Sequence, residues 1–146
     1  MSVEIKLLDA GDAGVLGDVA AGVFDDPIDD RRAKEFLADG RHHLAVAVEG
    51  GSVVGSVSAV HYAHPDKRYP EMWINEVQVA PTHRREGIAR ALLDRILDRA
   101  RELQCTEAWV LTDRDNVPAT RLYSAAGGTG SPDGALMFTF DLGEPE

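Results

Sequence analysis

Apolar and polar positions change rhythm several times along the chain, and each change marks an element. Val3 to Leu8 alternates weakly and predicts a first strand. Asp9 or Asp12 stands where a cap would, ahead of a helix running to about Phe24 with Leu16, Val19, Ala20 and Val23 on one face. Asp25-Asp26-Pro27 breaks that run, and a short second helix is expected from about Asp29 to Ala38. His43 to Glu49 and Val53 to Tyr62 read as strands on either side of Gly50-Gly51. That pair suits a tight hairpin, because glycine accepts positive φ at both central positions. A polar loop from His64 to Pro70 follows, then a β-rich strand from Met72 to Ala80 that Pro81 stops.

The clearest helix runs from Gly87 to Leu103. Ile88, Leu92, Ile96 and Leu103 share a face, with Ala89, Leu93, Leu97 and Ala100 beside them. Charged residues fill the rest. Glu107 to Leu111 is a further strand. Asn116 caps a short helix with Pro118 in its first turn and Gly127-Gly128 after its end. Ala135 to Leu142 is expected to close the fold as a last strand. The order β-α-α-β-β-β-α-β-α-β is a mixed α/β pattern with an antiparallel section, and the length suits one domain over residues 1–146.

Charge narrows the function classes. Fifteen basic and 25 acidic residues give a net charge of −10, which argues against a nucleic-acid partner. The distribution is uneven. Residues 1–50 hold 11 acids and 5 bases, residues 51–106 hold 7 and 8, and residues 107–146 hold 7 and 2. The middle segment is therefore where an anion is tolerated, and the flanks favour a cation. With no apolar run long enough to span a bilayer and no signal-like start, the expectation is a cytoplasmic protein with no membrane partner. A single cysteine, Cys105, and histidines without metal-ligand spacing give no expectation of a metal.

The anion-tolerant segment contains a strand, a basic turn and a helix start: Val79-Ala80-Pro81-Thr82-His83-Arg84-Arg85-Glu86-Gly87-Ile88-Ala89-Arg90. The first turn of a helix exposes unpaired N–H groups and the positive end of the dipole. Gly87 and the small Ala89 let a phosphate come close to them, and Arg84 and Arg85 add charge. Gly11, Gly14 and Gly17 do not fit the dinucleotide fingerprint, so a nicotinamide site is set aside.

Arg84-x-x-Gly87-x-Ala89 after a strand ending Val79-x-Pro81 resembles the acetyl-coenzyme-A signature of the GNAT N-acetyltransferase superfamily. Asn116-x-x-Ala119-x-x-Leu122-Tyr123-x-x-x-Gly127 is similar to that family's later helix. A narrower likeness joins Glu71 to Val79, His83 to Ala89 and Phe138-Thr139-Phe140-Asp141 to the aminoglycoside 3-N-acetyltransferases. The chain departs from that group in having Glu76 where aspartate is common, Asn116-Val117-Pro118-Ala119 at the later helix start, and a longer turn from Thr129 to Gly134.

The resemblance implies a single-domain GNAT fold, a mixed central sheet flanked by helices, with acetyl-CoA as cosubstrate. It places the pyrophosphate on Arg85, Glu86, Gly87, Ile88, Ala89 and Arg90, with Arg84 adding charge. It runs the pantetheine arm along Val77, Gln78 and Val79, between the strand at 76–79 and the strand at 107–112, and the backbone of Val77 and Val79 would also hold the thioester carbonyl. Asn116 and Ala119 would contact the cofactor from the later helix. Glu76 would be the general base and Tyr123 the acid that protonates the leaving thiolate. An ordinary glutamate titrates near ~4.3, so Glu76 would need burial or a water chain to serve.

The acceptor is expected to be a cationic small-molecule amine, an aminoglycoside acetylated at its 3-amine, met by Asp25, Asp26, Glu71, Asp113 and Asp141. Polyamine and protein amines are cations too and remain alternatives. So does a non-catalytic module that only senses acetyl-CoA. Relatives of this kind pair as dimers, which makes a homodimer through the last strand a further expectation.

Overall fold

Five strands hydrogen-bond in chain order into one sheet: β1 (Glu4–Leu8), β2 (His42–Glu49), β3 (Ser52–Tyr62), β4 (Glu71–Val79) and β5 (Glu107–Val110). In this computed structural model, which describes residues 2–131 and 136–145, β1 to β4 run antiparallel and β5 joins β4 in parallel. A parallel step needs a crossover, and helix α2 (Ile88–Glu102) supplies it. Helix α1 (Asp30–Ala38) precedes β2, and α3 (Val117–Ala125) follows β5. The hairpin between β2 and β3 turns on Gly50 and Gly51, at φ 57° and 82°.

Residues paired across strands point to the same side, so the register sorts the sheet into two faces. Ala47, Gly55 and Val79 form one row, Ala45, Val57 and Val77 the next, and His43, Ala59, Ile74 and Val110 a third. Helix α2 covers this face with Ile88, Leu92, Leu93, Ile96 and Ala100, all buried. It sits so close that a Cβ on Gly55 would lie 3.1 Å from Leu92 and 3.2 Å from Ile88. Truncating a fully buried side chain such as Ile96 to alanine costs about 2–5 kcal/mol, so this layer carries much of the stability. The other face carries Leu44, Ser58 and Glu76 in one row and His42, Val60, Trp73 and Trp109 in the next. There α1 covers only the β2 side.

Two expected elements differ. The helix expected from Asp9 or Asp12 to Phe24 is only a 3-10 turn over Ala13–Gly17, and Asp12 makes no cap bond to it. Gly11, Gly14, Gly17 and Gly22 would each cost about 1 kcal/mol in a helix. The backbone finds other partners instead: Val53 N–H donates to the Asp18 carbonyl and Ala20 N–H to the Val53 carbonyl, both at 2.8 Å. The apolar face read as helical is still buried in part, through Leu16 and Val23. The last strand expected over Ala135–Leu142 is not formed either. Ala135 lies outside the described residues, and Leu136 to Leu142 pair with no strand, leaving Leu136, Phe138, Phe140 and Leu142 exposed. No helix among the described residues is long and apolar enough to cross a membrane.

His43 is buried under α2 and shares a 2.7 Å hydrogen bond, Nε2 to Nδ1, with His61. Burial, then the charges of His61 and Arg99, lower its pKa from 6.5 to about 4. The unfolded chain protonates this histidine near pH 6.5, while the folded chain resists until about pH 4. The stability present above pH 6.5 is therefore lost as pH falls toward 4. Thermal denaturation across that window should show a falling midpoint in the wild type and a shallower fall in His43→Leu. Parallel curves would show that His43 does not carry the effect.

Candidate active site

The β4–β5 ladder begins at Glu71–Glu107 and ends at Ile74–Val110. Beyond it β4 pairs with β3 alone, so residues 76–79 keep one edge of the strand unpaired. A bulge marks the point of parting. Ile74 lies opposite Ala59 and Glu76 opposite Ser58, leaving Asn75 as the extra residue. Bulges sharpen twist and re-aim side chains. This one turns Glu76 to the face away from α2, where it is exposed.

The gap opens into a cavity of about 680 Å³. Val77, Gln78 and Val79 line one side, Arg84, Arg85, Gly87, Ile88, Ala89 and Arg90 the second, and Asn116, Ala119 and Tyr123 the third. Eleven of the twelve positions expected to hold the cofactor thus meet in one space; Glu86 is not among the lining residues. His83, Thr112, Pro118 and Leu122 line it as well. His83, Pro118 and Leu122 lie within the two motifs with no contact assigned to them, and Thr112 ends the 107–112 segment expected to border the pantetheine arm.

The loop before α2 is shaped by two left-handed residues, Arg85 at φ 65° and Gly87 at φ 79°. Nothing crowds the site of a Cβ on Gly87, so its φ, not lack of space, demands glycine there. Arg85 holds the same region at a cost of about 1–2 kcal/mol. Such turns gather successive N–H groups around a concavity that suits anions. The first intrahelical bond joins Ala91 N–H to the Gly87 carbonyl at 3.1 Å, which leaves Ile88, Ala89 and Arg90 N–H without helical acceptors. Arg84 Nε donates to the Val79 carbonyl at 3.4 Å and ties the loop to the end of β4. Arg90 is drawn aside by Asp94 at 3.0 Å. The donor set fits a pyrophosphate.

Helix α3 has no fully buried residue and holds its place by its ends and one face. Asn116 Oδ1 accepts from Ala119 N–H at 3.2 Å, so this asparagine caps its helix while lining the cavity. At the other end Gly128 N–H donates to the Tyr123 carbonyl at 2.9 Å and Gly127 N–H to the Ser124 carbonyl at 3.0 Å, a Schellman closure. Tyr123 sits in this last turn, and burial raises its pKa, which keeps the hydroxyl protonated.

The expected acceptor acids do not converge: only Asp25 and Asp26 share a depression. Asp26 lines a pocket of about 390 Å³ on the Glu76 face, with Asp29, Phe36, Leu44 and Ser58. Ser58 is the register partner of Glu76, so this pocket reaches the row of the expected base. Asp25 lines the adjoining depression with Asp26. Asp29 was missed; its Oδ2 accepts from Arg32 N–H at 2.9 Å and caps α1. Glu71 stands at the start of β4, within 3.2 Å of His64 Nε2 and 3.5 Å of the Tyr62 hydroxyl. Asp113 is exposed on the loop after β5, beside Thr112 of the cofactor cavity. Asp141 accepts from Gly143 N–H at 2.9 Å in a local turn and lines neither cavity. No group of three metal-ligating side chains occurs among the described residues.

Known proteins resemble this chain in sequence and in fold. A streptothricin acetyltransferase of Streptomyces lavendulae is 33% identical over 90 residues, 62% of this chain and 45% of the relative. The chain spans less than half the length of the curated relatives it matches. An aminoglycoside acetyltransferase from an uncultured soil metagenomic sample, solved in complex with trehalose, superposes with a TM-score of 0.79 at 18% identity, covering 97% of each chain. The aminoglycoside N-acetyltransferase AAC(6')-Iy in complex with CoA gives 0.72 at 18% identity, covering 95% of this chain and 94% of that one. At that identity the two structures establish the shared fold. The acetyltransferase (GNAT) family model matches residues 17–127, which include the parted strands, the left-handed loop and α3, and the chain belongs to that family.

Proposed function

We propose that the chain moves acetyl from acetyl-CoA to an amine of an aminoglycoside, in a ternary complex. The observation that carries this reading is the single cavity where the β4 edge, the phosphate-type loop and Tyr123 meet, one residue from Glu76. The acidic pocket beside Ser58 supports a cationic acceptor. The aminoglycoside and streptothricin acetyltransferases among the similar proteins support the choice of antibiotic amine.

Bound acetyl-CoA would supply an acyl group activated as a thioester. The N–H groups of Ile88, Ala89 and Arg90 would hold its pyrophosphate, and the unpaired edge of Val77–Val79 its extended arm, as an added strand. That edge would also polarise the thioester carbonyl. An ammonium has no lone pair, so a proton must leave before the C–N bond forms. Glu76 is exposed, so it would take that proton through water rather than from a dry pocket. As the C–S bond breaks, the electron pair would stay on sulfur and Tyr123 Oη would supply a proton to it, while the second proton shed by the newly acylated nitrogen would return through water to the Tyr123 oxygen.

Thiol release from acetyl-CoA is measured against gentamicin- and kanamycin-type aminoglycosides, spermidine and a peptide N-terminus. Turnover confined to aminoglycosides is the expected result, and NMR of the product assigns the 3-amine or another position. Turnover only on spermidine or the peptide would discard the antibiotic reading. With the preferred acceptor, Glu76→Gln and Tyr123→Phe should each lower kcat by about a hundredfold with unchanged acetyl-CoA affinity. Full activity in either removes its assigned role.

Gly87→Glu places a side chain and a negative charge at φ 79° in the loop. Calorimetric titration should show acetyl-CoA binding weakened by about tenfold or more, with Gly87→Ala losing less. Equal affinity in Gly87→Glu and wild type would remove the loop from the cofactor site.

A further inference from the structure

Trp73 and Trp109 are register partners on β4 and β5, and their rings stack at 5.2 Å between centroids and 7° between planes. They lie on the face away from α2. Trp73 is 38% exposed, while Met72 and Ile74 beside it are 0% and 3% exposed. The pair is held from the side, by a residue of the neighbouring row on the same face. Trp109 Nε1–H donates to the Tyr62 hydroxyl at 2.6 Å, and Tyr62 packs edge-on against His64 at 5.3 Å. An aromatic surface locked in one orientation and left open to water on the chemical face is poorly explained by packing alone.

Its neighbours say what it suits. In an unbroken strand, positions 73 and 76 would point to opposite faces. The bulge at Asn75 puts Trp73 and Glu76 on the same one. The paired positions of β2 to β5 on this face include three carboxylates, Glu71, Glu76 and Glu107, and no lysine or arginine. His42 is their one basic side chain, and Arg32 faces the pocket from α1. A flat indole surface in an anionic setting attracts a ring that carries ammonium groups. The ring's C–H face covers the indole, and nearby cations interact with its π-system. A linear polyamine offers the charges but not the ring face.

We infer that Trp73 and Trp109 form the ring-binding wall of the acceptor site, seating an amino-sugar ring so that its amine is presented toward Glu76. This deepens the acceptor reading above and rests on it. The wall sets acceptor affinity and discriminates cyclic from linear amines; it takes no part in acetyl-CoA binding.

The chain's two tryptophans are these two, so intrinsic tryptophan fluorescence reports on the wall alone. Titration with a kanamycin-type aminoglycoside should give a saturating change in emission, and spermidine at equal concentration none. Trp73→Ala should raise the aminoglycoside KM about tenfold, with kcat and the acetyl-CoA KM within about twofold of wild type. Trp73→Phe should restore most of the loss. An unchanged aminoglycoside KM, or a fall confined to kcat, would overturn the wall while leaving the reaction in place. A wild-type protein that does not acetylate aminoglycosides, yet shows the saturating emission change, would overturn the acceptor reading and leave the wall as a ring site. Silence in both assays overturns both.

Discussion

Two neighbouring strands that pair for four residues and then separate set the conditions for everything around the site. A backbone edge without a partner must find hydrogen bonds in water or in a ligand, since a buried unpaired group costs about 1–3 kcal/mol. Here the edge of residues 76–79 faces a cavity rather than another strand. The loop before α2 closes one end of that cavity and α3 closes its side. Both are fastened by local bonds, Arg84 to the Val79 carbonyl and Asn116 to Ala119 N–H, and not by deep burial. The site is thus a gap in the sheet, with its walls set by turns and caps.

The same strand separates two electrostatic environments. At its C-terminal end stand the arginines and free N–H groups of the loop, suited to an anion. On the face away from α2 lie carboxylates suited to a cation, Glu71 before the bulge at Asn75 and Glu76 after it. The near-neutral middle segment holds both environments, the arginines of the loop together with Glu71 and Glu76. An overall charge of −10 conceals this division, because the loop's attraction for anions comes largely from backbone geometry.

Much of the fold was legible because it depends on local signals. The 3.6-residue rhythm of α2, the Gly50-Gly51 turn, Asn116 as a cap and the glycines after α3 each announce a conformation within a few residues. The early helix misled because its apolar spacing is sound, but its glycines weaken it and Val53 offers backbone partners from far along the chain. The Leu136–Leu142 segment has a strand's alternation, yet pairing depends on a neighbour that sequence does not specify. In the site, eleven of the residues that the resemblance names line one cavity. What spacing could not reveal was register. The extra residue at Asn75 and the meeting of Trp73 with Trp109 follow from how strands align across the sheet, and Asp29 joins the pocket on the Glu76 face as the cap of α1.

The sheet's two faces divide labour in a way that bears on how such a protein changes over generations. Positions under α2 are densely packed, so exchanges there meet a steep penalty and are purged. Positions on the opposite face, such as Trp73 and Glu107, are exposed and touch little of the core. Replacements there alter what is bound at small cost to folding. On the proposed acceptor reading, point substitution there changes the amine bound while the loop and the parted strands stay untouched, which makes the specificity readily evolvable.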